Sequence, residues 1–264
     1  MLTSLLDLKN GRGGDLGERM LNTVASQAIR HLFTSSESVE VNISCEPSSK
    51  LLQGSIDSFK MKGNGLVIRS AFQVAEMVFQ TDVVSIDTSA LLSGQLRLKM
   101  PTQAIAQVVL TEDAINKAFE AELVQQRLQR VELESLTGLS GGEPVTFESV
   151  KVQLHANNGV TITALTDLPN KKAVPIGIKA ILAVEKRRRI MFKDAQFTGD
   201  QVPPELQATS RILSEGLITV LNGMVDLDRF DLDGVSMRVN RLETQDKTLV
   251  FSGYAQIAYF PGNG

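Results

Sequence analysis
Gly138, Ser140 and Gly142 stand in a G-x-S-x-G pattern. In a nucleophile elbow this spacing projects a serine from a sharp strand-to-helix turn toward an acyl carbon. The motif needs a strand before it, a helix after it, and an acid and then a histidine further along. Here Pro144 and a strand-like run follow, and His155 comes later with no aspartate in between. The bland reading is a loop over residues 135–144, rich in Gly and Ser. An esterase acting through Ser140 is therefore the third-ranked reading.

Other chemistry-bearing residues are equally isolated. The acids from Asp226 to Asp233, closed by Gly234, lack the D-x-D-x-D-G spacing and later glutamate of a calcium loop. Leu227, Phe230 and Leu232 among them suggest a half-buried turn with an acidic edge. His31 and His155 have no Cys or His partner at ligand spacing. His31 falls near the end of a predicted helix, where a cation is favourable. Cys45 has no neighbouring base, and as the one cysteine it makes no internal disulfide. The glycines from Gly11 to Gly17 follow no strand and precede no Lys-Ser/Thr, so they are not read as a phosphate loop. No catalytic residue, metal ligand or cofactor is assigned. One basic cluster remains: Lys186, Arg187, Arg188 and Arg189. It reads as a solvated hairpin tip that blunts a sheet edge. The sharper reading is contact with anionic headgroups, at ~1 kcal/mol per charge.

Three amphipathic helices are predicted to carry these groups, near residues 16–33, 111–130 and 204–225. The middle one opens on Thr111, an N-cap residue, with Glu112 and Asp113 in its first turn. Ile115, Ala118, Phe119 and Leu123 then form one apolar stripe. Run straight to Arg130, it would span roughly 28 Å at ~1.5 Å per residue. Leu213, Leu217, Val220 and Leu221 mark the apolar face of the third helix. The remainder alternates like strands, with hairpin turns at Gly63-Asn64-Gly65 and Asn157-Asn158-Gly159. Strands outnumber helices and meander, which predicts an α+β fold on a long, strongly twisted, mostly antiparallel sheet. Ile105, Val109, Ile181 and Ala183 put aliphatics on both strand faces, as if both were covered. Ordinary core packing is the default explanation of every stripe.

The chain has 264 residues, 42% of them hydrophobic, enough for a sizeable core. It is read as a single unit over residues 1–264, with a flexible start over residues 1–14. A net charge of −3 gives no general pull toward nucleic acid, so no nucleic-acid partner is expected. Aromatics are 5% with no tryptophan, which suits an aliphatic interior better than a stacking site. No run of ~18 apolar residues spans a bilayer. Residues 1–8 are read as lacking the basic flank and apolar core of a signal peptide. With one cysteine, this makes a cytoplasmic location, peripheral to a membrane at most, the expectation.

The segments Gly54–Ile68, Ile86–Leu98 and Val108–Phe119 resemble the LmeA-like phospholipid-binding family. The signature is a set of small turns and a helix start of the form Leu-Thr-Glu-x-x-Ile-Asn, here Leu110 to Asn116. The resemblance covers roughly residues 17–259. It implies a fold similar to the tubular lipid-binding (TULIP) roll, in which long helices and a curved sheet enclose an apolar cavity. It also implies binding of phospholipid, or a similar acyl lipid, without chemistry. On that basis Ile115 and Phe119 are expected cavity lining. Leu123, Leu213, Leu217, Val220 and Leu221 are added from their stripes, with Lys186–Arg189 as the membrane contact. Transfer between membranes is the extension of this reading. The alternative is a peripheral interaction module with a packed core.

Overall fold
The computed structural model describes residues 22–259 apart from 24, 28, 48, 94, 96, 201 and 228–233. The expected flexible start lies outside these residues. So does most of the acidic run before Gly234.

The strands follow the alternation of the sequence. β1 (Ser38–Ser44), β3 (Ser58–Ile68), β4 (Phe72–Thr81), β6 (Thr102–Thr111), β11 (Val235–Gln245) and β12 (Thr248–Ile257) build one sheet, ordered β1-β3-β4-β6-β12-β11. β7 (Phe147–Leu154), β8 (Gly159–Leu168), β9 (Lys171–Glu185) and β10 (Arg189–Phe197) build a second, ordered β10-β9-β8-β7. β2 (Ser55–Ile56) and β5 (Val84–Ser85) form a short ribbon. The pairings are antiparallel. The class is the expected α+β, but the one long sheet is two open sheets. Helices inserted after β6 and β10 separate a four-strand meander from the rest. The last hairpin then returns to β6, pairing Phe251 with Val108.

Residues 22–23, 25–27 and 29–30 are helical (α1), and Ala25 and Ile29 bury this face. Short helices α2 (Ser49–Leu52) and α3 (Thr88–Leu92) follow. The predicted long middle helix is two short ones, α4 (Glu112–Ala118) and α5 (Glu122–Leu128). Ala121 between them is extended, and the Gln125 side chain donates to the Phe119 carbonyl freed at the break. The break needs neither Pro nor Gly, so periodicity carried no sign of it. The predicted loop at 135–144 begins as a helix, α6 (Glu134–Ser140), which Gly141 ends at φ 66°. Pro203 precedes a 3₁₀ turn leading into α7 (Gln207–Met224), the one long amphipathic helix among the described residues. Its 18 residues span about 27 Å.

Two further expectations are corrected. β3 runs straight through Gly63-Asn64-Gly65 and reverses after Ile68, where Arg69 and Ser70 take φ of 49° and 60°. Gly65, at φ 56°, kinks the strand without turning it. The second-face aliphatics are not covered by another layer: Ile105 is 64% exposed and Ile181 41%. Branched residues suit a pleated surface, and much of any protein surface is apolar.

Candidate functional site
Both sheets contribute to one pocket of about 490 Å³. From the first sheet come Met77 and Phe79 of β4, Val108 and Leu110 of β6, and Leu249 and Phe251 of β12. From the second come Val152 and Leu154 of β7, Leu182 of β9, and Ile190 and Phe192 of β10. α4, α5 and the C-terminal turn of α7 close it with Ile115, Phe119, Leu123, Val124, Leu221 and Met224. Its volume lies in the range of roughly 300–1,000 Å³ typical of ligand sites. Among the described residues, Arg69, Gln73 and Arg127 are its only polar lining, and no carboxylate lines it.

Polar side chains fix the helices that form this wall. Thr111 caps α4, its Oγ1 accepting from the Ala114 amide at 3.1 Å. β7 is an edge strand whose free backbone groups face α4. Asn116 takes two of them, accepting from Val152 N at 2.7 Å and donating to Val152 O at 2.9 Å. Glu112 takes a third, accepting from Leu154 N at 2.8 Å. The opposite edge is treated alike: Asn222 of α7 accepts from Phe192 N at 2.7 Å. Asn158, in the β7–β8 turn at φ 60°, joins the two sheets. Its Nδ2 donates to Leu242 O at 3.1 Å, and its Oδ1 accepts from Thr244 N at 2.9 Å. Thus the polar half of the Leu110–Asn116 motif positions α4, while its apolar half faces the pocket.

Of the seven residues expected to line a cavity, Ile115, Phe119, Leu123 and Leu221 do line this one. The break after α4 keeps Phe119 and Leu123 on the same wall. Leu213 and Leu217 are 0% exposed and lie off the pocket. Beside them, Gly216 sits so close to Leu136 of α6 that an added Cβ would lie 2.9 Å from its methyl. Val220 is half-buried and also off the pocket.

The basic tip is stitched into the junction between the sheets. Val239 N donates to Arg187 O at 2.7 Å, and Leu227 N to Arg188 O at 2.8 Å. Arg189 Nε pairs with Asp226 at 3.1 Å, and the Arg187 guanidinium lies 5.9 Å over the Tyr254 ring. Lys186 and Arg187 are the exposed members.

Ser140 sits in the last turn of α6, 2% exposed, its hydroxyl without a hydrogen-bond partner among the described residues. It is not on a strand–helix elbow, and His155 bonds Thr161 Oγ1 at 2.8 Å. Cys45 is buried, its thiol directed at Ser55 O. The groups with displaced pKa values lie off the pocket. Lys50 holds the Asp57 carboxyl below the ordinary range, Ser89 does so for Asp87, and the Ala173 amide for Asp167. Glu76 raises Lys62.

Sequence reasoning missed the strand-borne lining and the two arginines. The inward alternation of β4, β6 and β12 was the available signal for the former. Arg69 and Arg127 had none, since each stands alone in sequence.

These features define an α+β protein with two open antiparallel sheets and an apolar pocket between them. A family model for LmeA-like phospholipid-binding proteins matches residues 13–253, and the chain belongs to that family. No curated protein and no solved structure matches it. No described helix is long and apolar enough to cross a membrane.

Proposed function
We propose that this protein binds phospholipid without chemistry, holding the acyl chains in the pocket between the sheets. The observation that carries the reading is the lining: among the described residues it is aliphatic and aromatic except for Arg69, Gln73 and Arg127. Ile115, Phe119, Leu123 and Leu221 would touch the chains. Leu213, Leu217 and Val220 would support α7 from behind. The two sheets and α7 then act as a TULIP-like wrap, with residues 1–264 as one unit. Burial is worth about 25 cal/mol per Å² of apolar surface relative to water. A lipid leaving a bilayer gains little of this, because its chains are already in hydrocarbon. The protein therefore exchanges lipid with a membrane surface, and transfer between membranes follows from that exchange. A contact at Lys186–Arg189 rests on Lys186 and Arg187, because Arg189 is engaged by Asp226.

The test is mass spectrometry of organic extracts of the purified protein, before and after incubation with phospholipid vesicles. Phospholipid should appear in about one copy per chain. A clean extract in both cases sinks the proposal and leaves the interaction module.

A further inference from the structure
Among the described residues, three that line the pocket are exposed: Arg69, Leu123 and Arg127. They mark its mouth, between the β3–β4 turn and α5. We propose that Arg69 and Arg127 form a headgroup subsite that selects phospholipids of net negative charge. This rests on the acyl-chain reading of the same pocket.

A lipid whose chains enter an apolar pocket must leave its phosphate where polar groups are. Among the described residues those groups are two guanidiniums and the Gln73 amide. A guanidinium offers planar, paired donors that match phosphate oxygens. Arg127 has no ion pair with any described residue. The carboxylate nearest it on α5, Glu122, instead accepts from Gln126 Nε2 at 3.2 Å. Glu120 and Glu122 are both exposed and outside the lining. Arg69 stands in a turn held from both sides: Ala71 N donates to Ile68 O at 3.2 Å, and Ser70 N to Thr34 Oγ1 at 2.9 Å. Leu123, 54% exposed, precedes Arg127 by one helical turn, so the rim sets an apolar side chain beside a cation. That pairing suits a bilayer surface.

The test loads the protein from vesicles of phosphatidylglycerol or of phosphatidylcholine with identical acyl chains, and counts bound lipid by mass spectrometry. Each arginine should contribute roughly fivefold, so the wild type should prefer phosphatidylglycerol by roughly twenty-five-fold. Arg69→Gln with Arg127→Gln should bring the ratio near one, whatever it does to phosphatidylcholine loading, since that lipid carries a phosphate too. Arg127→Lys should keep part of the preference. Equal loading of the wild type, or a preference that survives the double substitution, overturns the subsite and leaves the acyl pocket standing. Loading of neither lipid overturns both. Inorganic phosphate, at matched ionic strength, should leave the ratio unchanged. If it erases the ratio, the site is one for free phosphate and the headgroup assignment falls.

Discussion

Leu217 and Leu221 stand one turn apart on α7, and both are almost fully buried, at 0% and 1% exposure. Sequence treats them alike. In the structure only Leu221 lines the pocket. Tryptophan at each position separates packing from emptiness. At Leu217 the indole has no room, because α7 there packs against α6 and the second sheet. Overpacking should lower stability by about 1–3 kcal/mol. At Leu221 the ring grows into about 490 Å³ of open space, so the expected change is within about 1 kcal/mol. Phospholipid loading should show the reverse order, falling for Leu221→Trp and holding for Leu217→Trp. Alanine gives the complementary pair. Leu217→Ala leaves a new hole and should cost about 3–5 kcal/mol. Leu221→Ala enlarges an existing void and should fall near the low end, about 2–3 kcal/mol. Urea denaturation of delipidated protein measures the stabilities, and lipid counted after vesicle incubation measures loading. If both tryptophan variants lose the same stability and Leu221→Trp loads normally, the space beside Leu221 is already filled and the reasoning is refuted.

Two other predictions concern the frame around the pocket. Asn116→Ala removes two hydrogen bonds to Val152 and strands its backbone groups at a sheet edge. The loss should be about 1–3 kcal/mol in urea, and faster amide exchange should be confined to α4 and β7. An unchanged exchange pattern there would show that the clamp does not hold the helix. Acid should also weaken the fold. Asp57, Asp87 and Asp167 have folded pKa values below the ordinary 3.8. Their contribution is therefore complete above that value and is lost as pH falls through the lower folded values. Unfolding midpoints measured from pH 5 down to about 2 should decline less steeply in the triple Asp→Asn variant than in the wild type. Parallel curves would mean these carboxylates do not govern acid stability.

Much of the frame was legible in sequence because it is local. Alternation in β7 to β10 placed those strands closely, and Asn157-Asn158 marked a real turn because both residues accept positive φ. Gly63-Asn64-Gly65 carried the same kind of signal yet sits inside β3. There, pairing with β1 and β4 on either side outweighs local turn preference. The side chains of the stripe from Ile115 to Leu123 lie on one wall of the pocket, though the helix beneath them breaks. The break depends on a Gln125 side chain returning to Phe119, which no periodicity reports.

What the sequence decided alone was the α+β class, the strand faces, the Thr111 cap and the grouping of Ile115, Phe119 and Leu123 on one stripe. Each follows from spacing along one element, where 3.6- and 2-residue periods fix which side chains share a side. What only tertiary structure decided was the split into two sheets, the space left between them, and the placing of Arg69 and Arg127, far apart in sequence, on the wall of one pocket. Those depend on how elements distant in sequence stop short of filling one another's gaps. Leu217 and Leu221 carry identical side chains on one helix, and only the neighbours across from each determine which one faces a void.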